Sequence, residues 1–503
     1  MEQVLQLSLG PLAQIRTVDP MMMSYNVEFA EVTGGTFWKA YTPEQIAGTE
    51  PFVVHMDKGN LEQAMSCMMQ VYPPIDLRSA RLRKLAAAFG PAWVRVSGTW
   101  ATKTYYDFDG SACGIVPEGY LNILTRDQWI GVLDFVRSVG AKLMISVANC
   151  AGLHSAHEPW NPSQAEQIFR LSEEYGVPID GAEFANEPNY MESSGFPAGY
   201  TPEDYRRDQD LFFCWLKENY PDCIAVGPSA SGPEAKMGPL GGLEDLIPGT
   251  CTCAELMEGT KEPLQVFSYH YYSGVSERTA SMAPGMHWSA QEATSEVFLD
   301  APLAAARAYL PLRDRYVPGA PVWVTESGDA GGGGDTWAST YLDVFRTLNE
   351  LGGFSELTDG VIFHNTLASS DYGFLQHGTF EPRPNYFAVL LWNRLMGNVV
   401  YDSGEEIREG AHVYARSRRD GRGGLVYLVI NNSGSDVTAV RLPKEAEVYA
   451  LAGENGDLRA PVMTLNGRPL VLEEDDALPD LSPDIVPAGV YAAAPGSCTF
   501  FVL

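Results

Sequence analysis

Two glutamates carry the strongest chemical signal in this chain. Glu187 follows Phe184, Ala185 and Asn186 and precedes Pro188, whereas Glu326 follows the run Val322, Trp323, Val324 and Thr325. Each is a carboxylate placed where an apolar strand gives way to a loop, the rim at which α/β barrels do their chemistry. Two carboxylates held across one cleft can cleave a glycosidic bond, one as acid and the other as nucleophile or base. Asn186 can donate to a sugar hydroxyl beside that acid, and Pro188 fixes the departing chain. Taken singly, either glutamate reads equally well as a helix cap. The pair favours the chemical reading.

Such a pair needs a barrel to hold it. Eight runs rich in β-branched and aromatic residues recur at 22–28, 92–98, 142–149, 181–186, 223–229, 266–272, 322–326 and 360–365. Helical patterns over 77–89, 126–139, 162–175, 202–219 and 337–351 separate them. Apolar strands alternating with amphipathic helices indicate a parallel sheet covered on both faces. The fold class is therefore α/β, a (β/α)8 TIM barrel. A doubly wound open sheet is the alternative, but no Gly-x-Gly-x-x-Gly opens a helix after the first strand. In this count Glu187 ends strand four and Glu326 ends strand seven, placed on opposite sides of the barrel. His270 and Tyr272 end strand six, with a core imidazole as the other reading of His270.

Beyond residue 398 the helical patterns stop, and short strands split by Asn-Asn-Ser-Gly and Gly-Glu-Asn-Gly turns describe a smaller C-terminal β-sandwich. The expected division is 21–398 for the barrel and 399–503 for the sandwich, with a strand from 1–20 joining the latter. Residues 33–74, rich in Gly, Pro and aromatics, read as a loop or lid over the barrel mouth.

Composition bounds the partners. With 503 residues, 34 Lys+Arg against 64 Asp+Glu and a formal net charge of -30, the surface repels nucleic acid, anionic membranes and sulfated polymers. A small anionic ligand held by a few local donors is compatible with it, because distant charges are screened. The N-terminus lacks a basic segment followed by an apolar core, and no run approaches membrane-spanning length. The eight cysteines show neither a disulfide framework nor a zinc spacing; even Cys251 and Cys253 lack partners. They read as reduced thiols of a cytoplasmic protein. The sequence does not speak to oligomeric state.

Several segments together resemble the heparanase/β-glucuronidase family, glycoside hydrolase family 79. They are the runs 75–86 and 92–99, Phe184 to Asn189, Ser268 to Tyr272, Val322 to Ser327 with its glycine tract, and Asn385, Tyr386 and Phe387. The resemblance implies a retaining mechanism with Glu187 as general acid/base and Glu326 as nucleophile. It also implies recognition of a uronic carboxylate by the backbone N–H groups of Gly332 and Gly333 and the Tyr372 hydroxyl. A concave run of N–H groups suits an anion without needing a cation. The alternative for 331–334 is a plain flexible loop; a phosphate loop is excluded because no Lys-Ser/Thr follows. By the same resemblance Tyr272 hydrogen-bonds the nucleophile and Glu28 binds sugar hydroxyls, unless Glu28 is structural. Arg95, Thr99 and Asn149 look like supports or hydroxyl contacts, and Trp323 and His364 like packing.

The implied activity is that of a retaining exo-β-glucuronidase releasing terminal β-linked glucuronic acid from a glycan or small glucuronide. No metal and no cofactor is called for. Two features favour exo action on unsulfated material: the long 33–74 segment, and the acidic balance around Lys236 and Lys261 in 228–263. Endo cleavage of an unsulfated uronic-acid polymer, a retaining β-glycosidase for neutral sugars and a non-catalytic carbohydrate-binding protein are the alternatives.

Overall fold

The structure, a computed structural model, describes residues 4–54, 66–240, 247 and 249–503. Eight parallel strands close into a barrel in sequence order. They are β1 Met23–Glu28, β2 Trp93–Ser97, β3 Lys142–Ser146, β4 Gly181–Glu183, β5 Ile224–Ala230, β6 Val266–Val275, β7 Val322–Gly331 and β8 Ile362–His364. The (β/α)8 expectation is met, and the alternative of an open sheet falls with the closed barrel. Trp93, Met144, Val226, Val266, Trp323 and Phe363 pack against one another within it, Trp323 lying 4.9 Å from Trp93 and 5.6 Å from Phe363. Burial of each such side chain stabilises the barrel by roughly 1.5–3 kcal/mol.

Local chemistry sets the helices. Arg126–Val139 starts in a capping box between Thr125 and Gln128 and stops at Gly140, whose φ of 66° suits a residue without Cβ. Pro202–Asn219 starts the same way, from Thr201 and Asp204 with Pro202 in the first turn. The sequence pattern did not show Glu296–Tyr316, a 21-residue helix between β6 and β7 with Pro302 and Pro311 inside it. Prolines read as breaks, yet here the helix spans both. The helix between β7 and β8 runs Leu342–Leu357, later than the expected 337–351.

β6 and β7 outrun the barrel. Their neighbours stop at Ala230 and His364, while they continue as a pair through Tyr272 opposite Gly328 to Val275 opposite Gly331. This corrects three placements. Glu326, His270 and Tyr272 do not end their strands but sit within them, near register shifts at 269–270 in β6 and at 324–327 between β7 and β8. β4, conversely, ends at Glu183, so Glu187 lies beyond it.

The C-terminal β-rich region has two sheets. Nine strands form one, including Met396–Tyr401, His412–Arg418, Leu425–Asn431, Ala446–Gly453 and Ser497–Val502; Thr438–Leu442 and Gly489–Ala493 belong to the three-stranded other. Leu5–Gln6 joins the smaller sheet and Gln14–Thr17 pairs with Met396–Tyr401. Strand alternation divides the large sheet's side chains. Val413, Ala415, Tyr427, Val429 and Phe501 meet the small sheet, while Tyr414, Val426, Leu428, Ile430 and Phe500 join the barrel's own core. Both faces are buried.

Within 33–74, Gly35–Trp38 pairs with Met69–Tyr72 and Pro43–Ile46 forms a short helix. Residues 55–65 of the expected lid lie outside the described residues, as do 241–246 and 248 of the 228–263 segment. No helix among the described residues is long and apolar enough to cross a membrane.

Candidate active site

Arg95 on β2 is the hub of the barrel mouth. Its guanidinium is fully buried and donates to Glu183 Oε1 from Nε (3.1 Å) and Nη2 (2.6 Å), to Glu326 Oε1 (3.0 Å) and to Asn186 Oδ1 (2.8 Å). Burial opposes the charge of Arg95, but Glu183 and Glu326 more than offset it and raise its pKa. A forked, permanently charged donor is suited to this task, since it holds several acceptors in one geometry. Ser97 and Ser229 complete the shell of Glu183, at 3.1 and 2.5 Å.

Glu326 is thus held by its side chain. Tyr272 donates to Oε2 at 2.7 Å while Arg95 holds Oε1. Burial alone would raise the Glu326 carboxyl, yet His270, Arg95 and the Tyr272 hydroxyl draw it below the usual range. Arg95 exerts that pull whatever proton His270 carries.

Glu187 is held by its backbone instead. It adopts a left-handed φ of 45° at the start of the turn Pro188–Tyr190, a conformation uncommon outside glycine. Its N–H donates to Ser229 O (3.2 Å), and its carbonyl accepts from Tyr190 N (3.1 Å) and Ser194 Oγ (2.9 Å). Asn189 pins the same turn by exchanging hydrogen bonds with the backbone of Ser231. The side chain is 18% exposed and meets His270 Nδ1 at 3.2 Å. His270 Nε2 faces Arg95 Nη2 at 3.3 Å.

One oxygen each of Glu187 and Glu326 and a ring nitrogen of His270 lie within 4.8 Å of one another. The expected pair is therefore brought together. It is not set on opposite sides of the barrel, however: β4 and β7 are separated by β5 and β6, and His270 of β6 bridges them. These three side chains are also of metal-ligand type. Arg95 holds the outer atoms of two of them, Glu326 Oε1 and His270 Nε2, while Glu326 Oε2 and His270 Nδ1 face the cluster.

A second network lies beside the first. Asn365, just past β8, shares its side-chain N–H groups among Glu28 Oε1 (3.2 Å), Tyr272 Oη (2.8 Å) and Tyr372 Oη (3.1 Å). The Tyr272 and Tyr372 rings stack at 6.3 Å. Burial, and then the nearby Glu28 and Glu326, raise the Tyr372 phenol far above its ordinary value, so it stays a donor. Among the described residues nothing accepts its proton. Glu28 ends β1 with its carboxylate packed on Gly98, which has no room for a Cβ. Burial, then Glu326 and Glu31, push the Glu28 carboxyl well up.

Gly332, Gly333 and Gly334 follow β7 with φ of 86°, 90° and 81°. A Cβ on Gly333 would sit 2.6 Å from that of Trp38. Among the described residues, neither Gly332 nor Gly333 uses its N–H in a hydrogen bond.

The remaining candidates lie apart from this chemistry. Asn149 is fully buried, and its amide bonds to His154 Nε2 (2.6 Å) and Tyr200 Oη (3.4 Å), not to either network. These bonds are those of a support, one of the two roles expected of it. Thr99 is half-buried beyond the end of β2. His364 is buried, stacked 3.9 Å from Phe374, and bonded to Tyr372 O at 2.7 Å. Glu183 and Asn365 were missed. A charged residue between Ala182 and Phe184, inside an apolar strand, was the visible sign of the first. The second directly follows a strand that ends at the mouth.

No family model matches the chain. Among known proteins, heparanase-like protein 1 of Arabidopsis thaliana is 26% identical over 462 residues, covering 81% of each chain. Baicalin-β-D-glucuronidase of Scutellaria baicalensis is 25% identical over 443 residues, 81% of this chain and 80% of that one. Among solved structures, a 4-O-α-L-rhamnosyl-β-D-glucuronidase from Fusarium oxysporum 12S, determined with Rha-GlcA, matches with a TM-score of 0.60 over 100% of both chains. At 11% identity it shows a shared fold alone. Over some four-fifths of its length, then, this chain is similar to glycosidases of the heparanase/β-glucuronidase type, glycoside hydrolase family 79, as its motifs indicate.

Proposed function

We propose that the protein is a retaining exo-β-glucuronidase acting by double displacement. The observation that carries this is the close pair of carboxylates in unlike surroundings, beside unengaged glycine N–H groups and a tyrosine donor. Glu187 gives its proton to the glycosidic oxygen as Glu326 attacks C1, forming a glycosyl ester and freeing the aglycone. Glu187 then takes a proton from water, whose oxygen attacks C1 and releases Glu326 and β-glucuronic acid. Carboxyl separations of about 5–5.5 Å accompany this course. The uronate carboxylate rests on the N–H groups of Gly332 and Gly333 and on Tyr372 Oη.

Hydrolysis of chromogenic β-glucuronide, β-glucoside and β-xyloside, with the product anomer followed by NMR, tests the reading. Preference for the glucuronide with retention is expected; preference for a neutral sugar, or inversion, contradicts it. The heparanase-like relatives favour a second reading, endo cleavage of an unsulfated uronic-acid polymer. Release of only monosaccharide from such a polymer decides for exo action, and release of oligosaccharides for endo. A cytoplasmic location completes the proposal, supported by the free thiols of Cys150, Cys223, Cys251 and Cys253. Cell fractionation tests it.

A further inference from the structure

The glycine loop after β7 is held from one side. Gly331 O accepts from Ser276 N at 2.9 Å. Gly332 O accepts from Ser276 Oγ at 3.0 Å and Arg278 Nη1 at 3.2 Å. In a trans peptide the C=O and the following N–H point in opposite directions. Fixing these two carbonyls toward the Ser276–Arg278 segment therefore turns the N–H groups of Gly332 and Gly333 the other way. The next two peptides are committed internally: Gly334 N donates to Ala330 O (3.1 Å), and Asp335 N to Asp329 Oδ2 (2.8 Å). Only the first two N–H groups are left over, and they are the two expected to meet an anion.

Arg278 is built for holding. Its side chain is fully buried. It pairs with the Asp371 carboxylate, donates to Lys39 O from Nε (2.8 Å) and Nη2 (2.6 Å), and donates to Gly334 O (2.8 Å). Its guanidinium lies 3.6 Å over the Tyr41 ring, and Asp371 N closes the circle by donating to Gly333 O at 3.0 Å. One cation thus joins the insertion after β1, the glycine loop and the loop that carries Tyr372. Being buried and neutralised by Asp371, Arg278 does not itself meet substrate.

We infer that Ser276 and Arg278 are positioning residues for uronate specificity, orienting the Gly331–Gly332 and Gly332–Gly333 peptides so that their N–H groups receive the sugar carboxylate. The inference rests on the glucuronidase reading. Lysine in place of Arg278 keeps a charge but cannot reach Lys39 O, two glycine carbonyls and Asp371 together.

The test measures kcat and KM for a chromogenic β-glucuronide and the matching β-glucoside, and inhibition by free glucuronate, in wild type, Arg278→Lys and Ser276→Ala. In Arg278→Lys the glucuronide-to-glucoside ratio of kcat/KM is expected to fall about tenfold or more, the scale of a lost hydrogen bond to a charged group. In Ser276→Ala it falls about threefold, and glucuronate inhibition weakens in step in both. An unchanged ratio, or proportional losses on both substrates, overturns the inference while leaving the glucuronidase reading intact. A wild type that prefers the glucoside overturns both. Should Arg278→Lys fail to fold, Ser276→Ala, which removes a single hydroxyl, decides by the same ratio.

Discussion

Glu187 and Glu326 are the same residue type a few ångströms apart, and the protein treats them oppositely. Glu326 has its side chain fixed from both ends, by Arg95 on Oε1 and Tyr272 on Oε2. Glu187 has its backbone fixed by Ser229, Tyr190 and Ser194, while its side chain is partly exposed and, among the described residues, hydrogen-bonds only His270. A nucleophile must stay ionised and aimed at one carbon. An acid/base must serve first the leaving oxygen and then a water. Immobilising one carboxylate by its side chain and anchoring the other by its main chain fits the division we propose.

The largest test of this contrast replaces each glutamate in turn. Glu326→Gln should lower glucuronide turnover by about 10⁴-fold or more for every leaving group, since the nucleophile is gone. Glu187→Gln should cost about 10²–10⁴-fold, and much less in the first step with an activated aryl leaving group that needs no protonation. Steady-state rates across a series of aryl glucuronides check this; the same leaving-group dependence in both variants would erase the distinction.

Next in size is the support beneath Glu326. Glu183→Gln removes the charge that most strongly holds Arg95, and breaking a buried pair costs on the order of 3–5 kcal/mol. Denaturant unfolding measures it, and a change under about 1 kcal/mol would mean that Arg95 needs no such partner. Smaller is the effect of Tyr272→Phe. A hydrogen bond to the ionised form lowers a carboxyl pKa, so its loss should move the acid limb of kcat/KM upward, toward the ordinary Glu value of about 4.3. A limb that stays put or moves down contradicts the role given to Tyr272.

A separate test concerns Glu31, whose carboxyl burial pushes up to about 8. Its folded value lies above the unfolded one, so the native state binds more protons between them and loses stability as pH rises through that window. Glu31→Gln should therefore gain on wild type in melting temperature from pH 5 to pH 8. Parallel curves would show that Glu31 ionises in the fold without cost.

Much of this site could be read from sequence because strand order and local motif reported the same thing. Asn186 to Pro188 and Val322 to Ser327 marked the two carboxylates, and the glycine tract marked two N–H groups. The supports were harder to see because they meet only in three dimensions. Arg95 and Glu183 are 88 residues apart, and Arg278 lies in the four-residue helix Glu277–Ala280, too short to show a pattern of its own. Asn149 shows the converse limit: its strand position left support and hydroxyl contact both open, and only the folded chain shows the bonds to His154 and Tyr200 that hold it. Strand ends misled for a related reason, since only tertiary pairing carries β6 and β7 past the rim.

The central claim, that Glu326 is the nucleophile of a retaining glucuronidase, is met most directly by trapping the intermediate. Incubation with a 2-deoxy-2-fluoro-β-glucuronide bearing a good leaving group, followed by proteolysis and mass spectrometry, locates the bound sugar. A fluoroglucuronyl ester on the peptide containing Glu326 is the predicted result. An adduct on another carboxylate, or turnover with inversion and no adduct, would contradict the account.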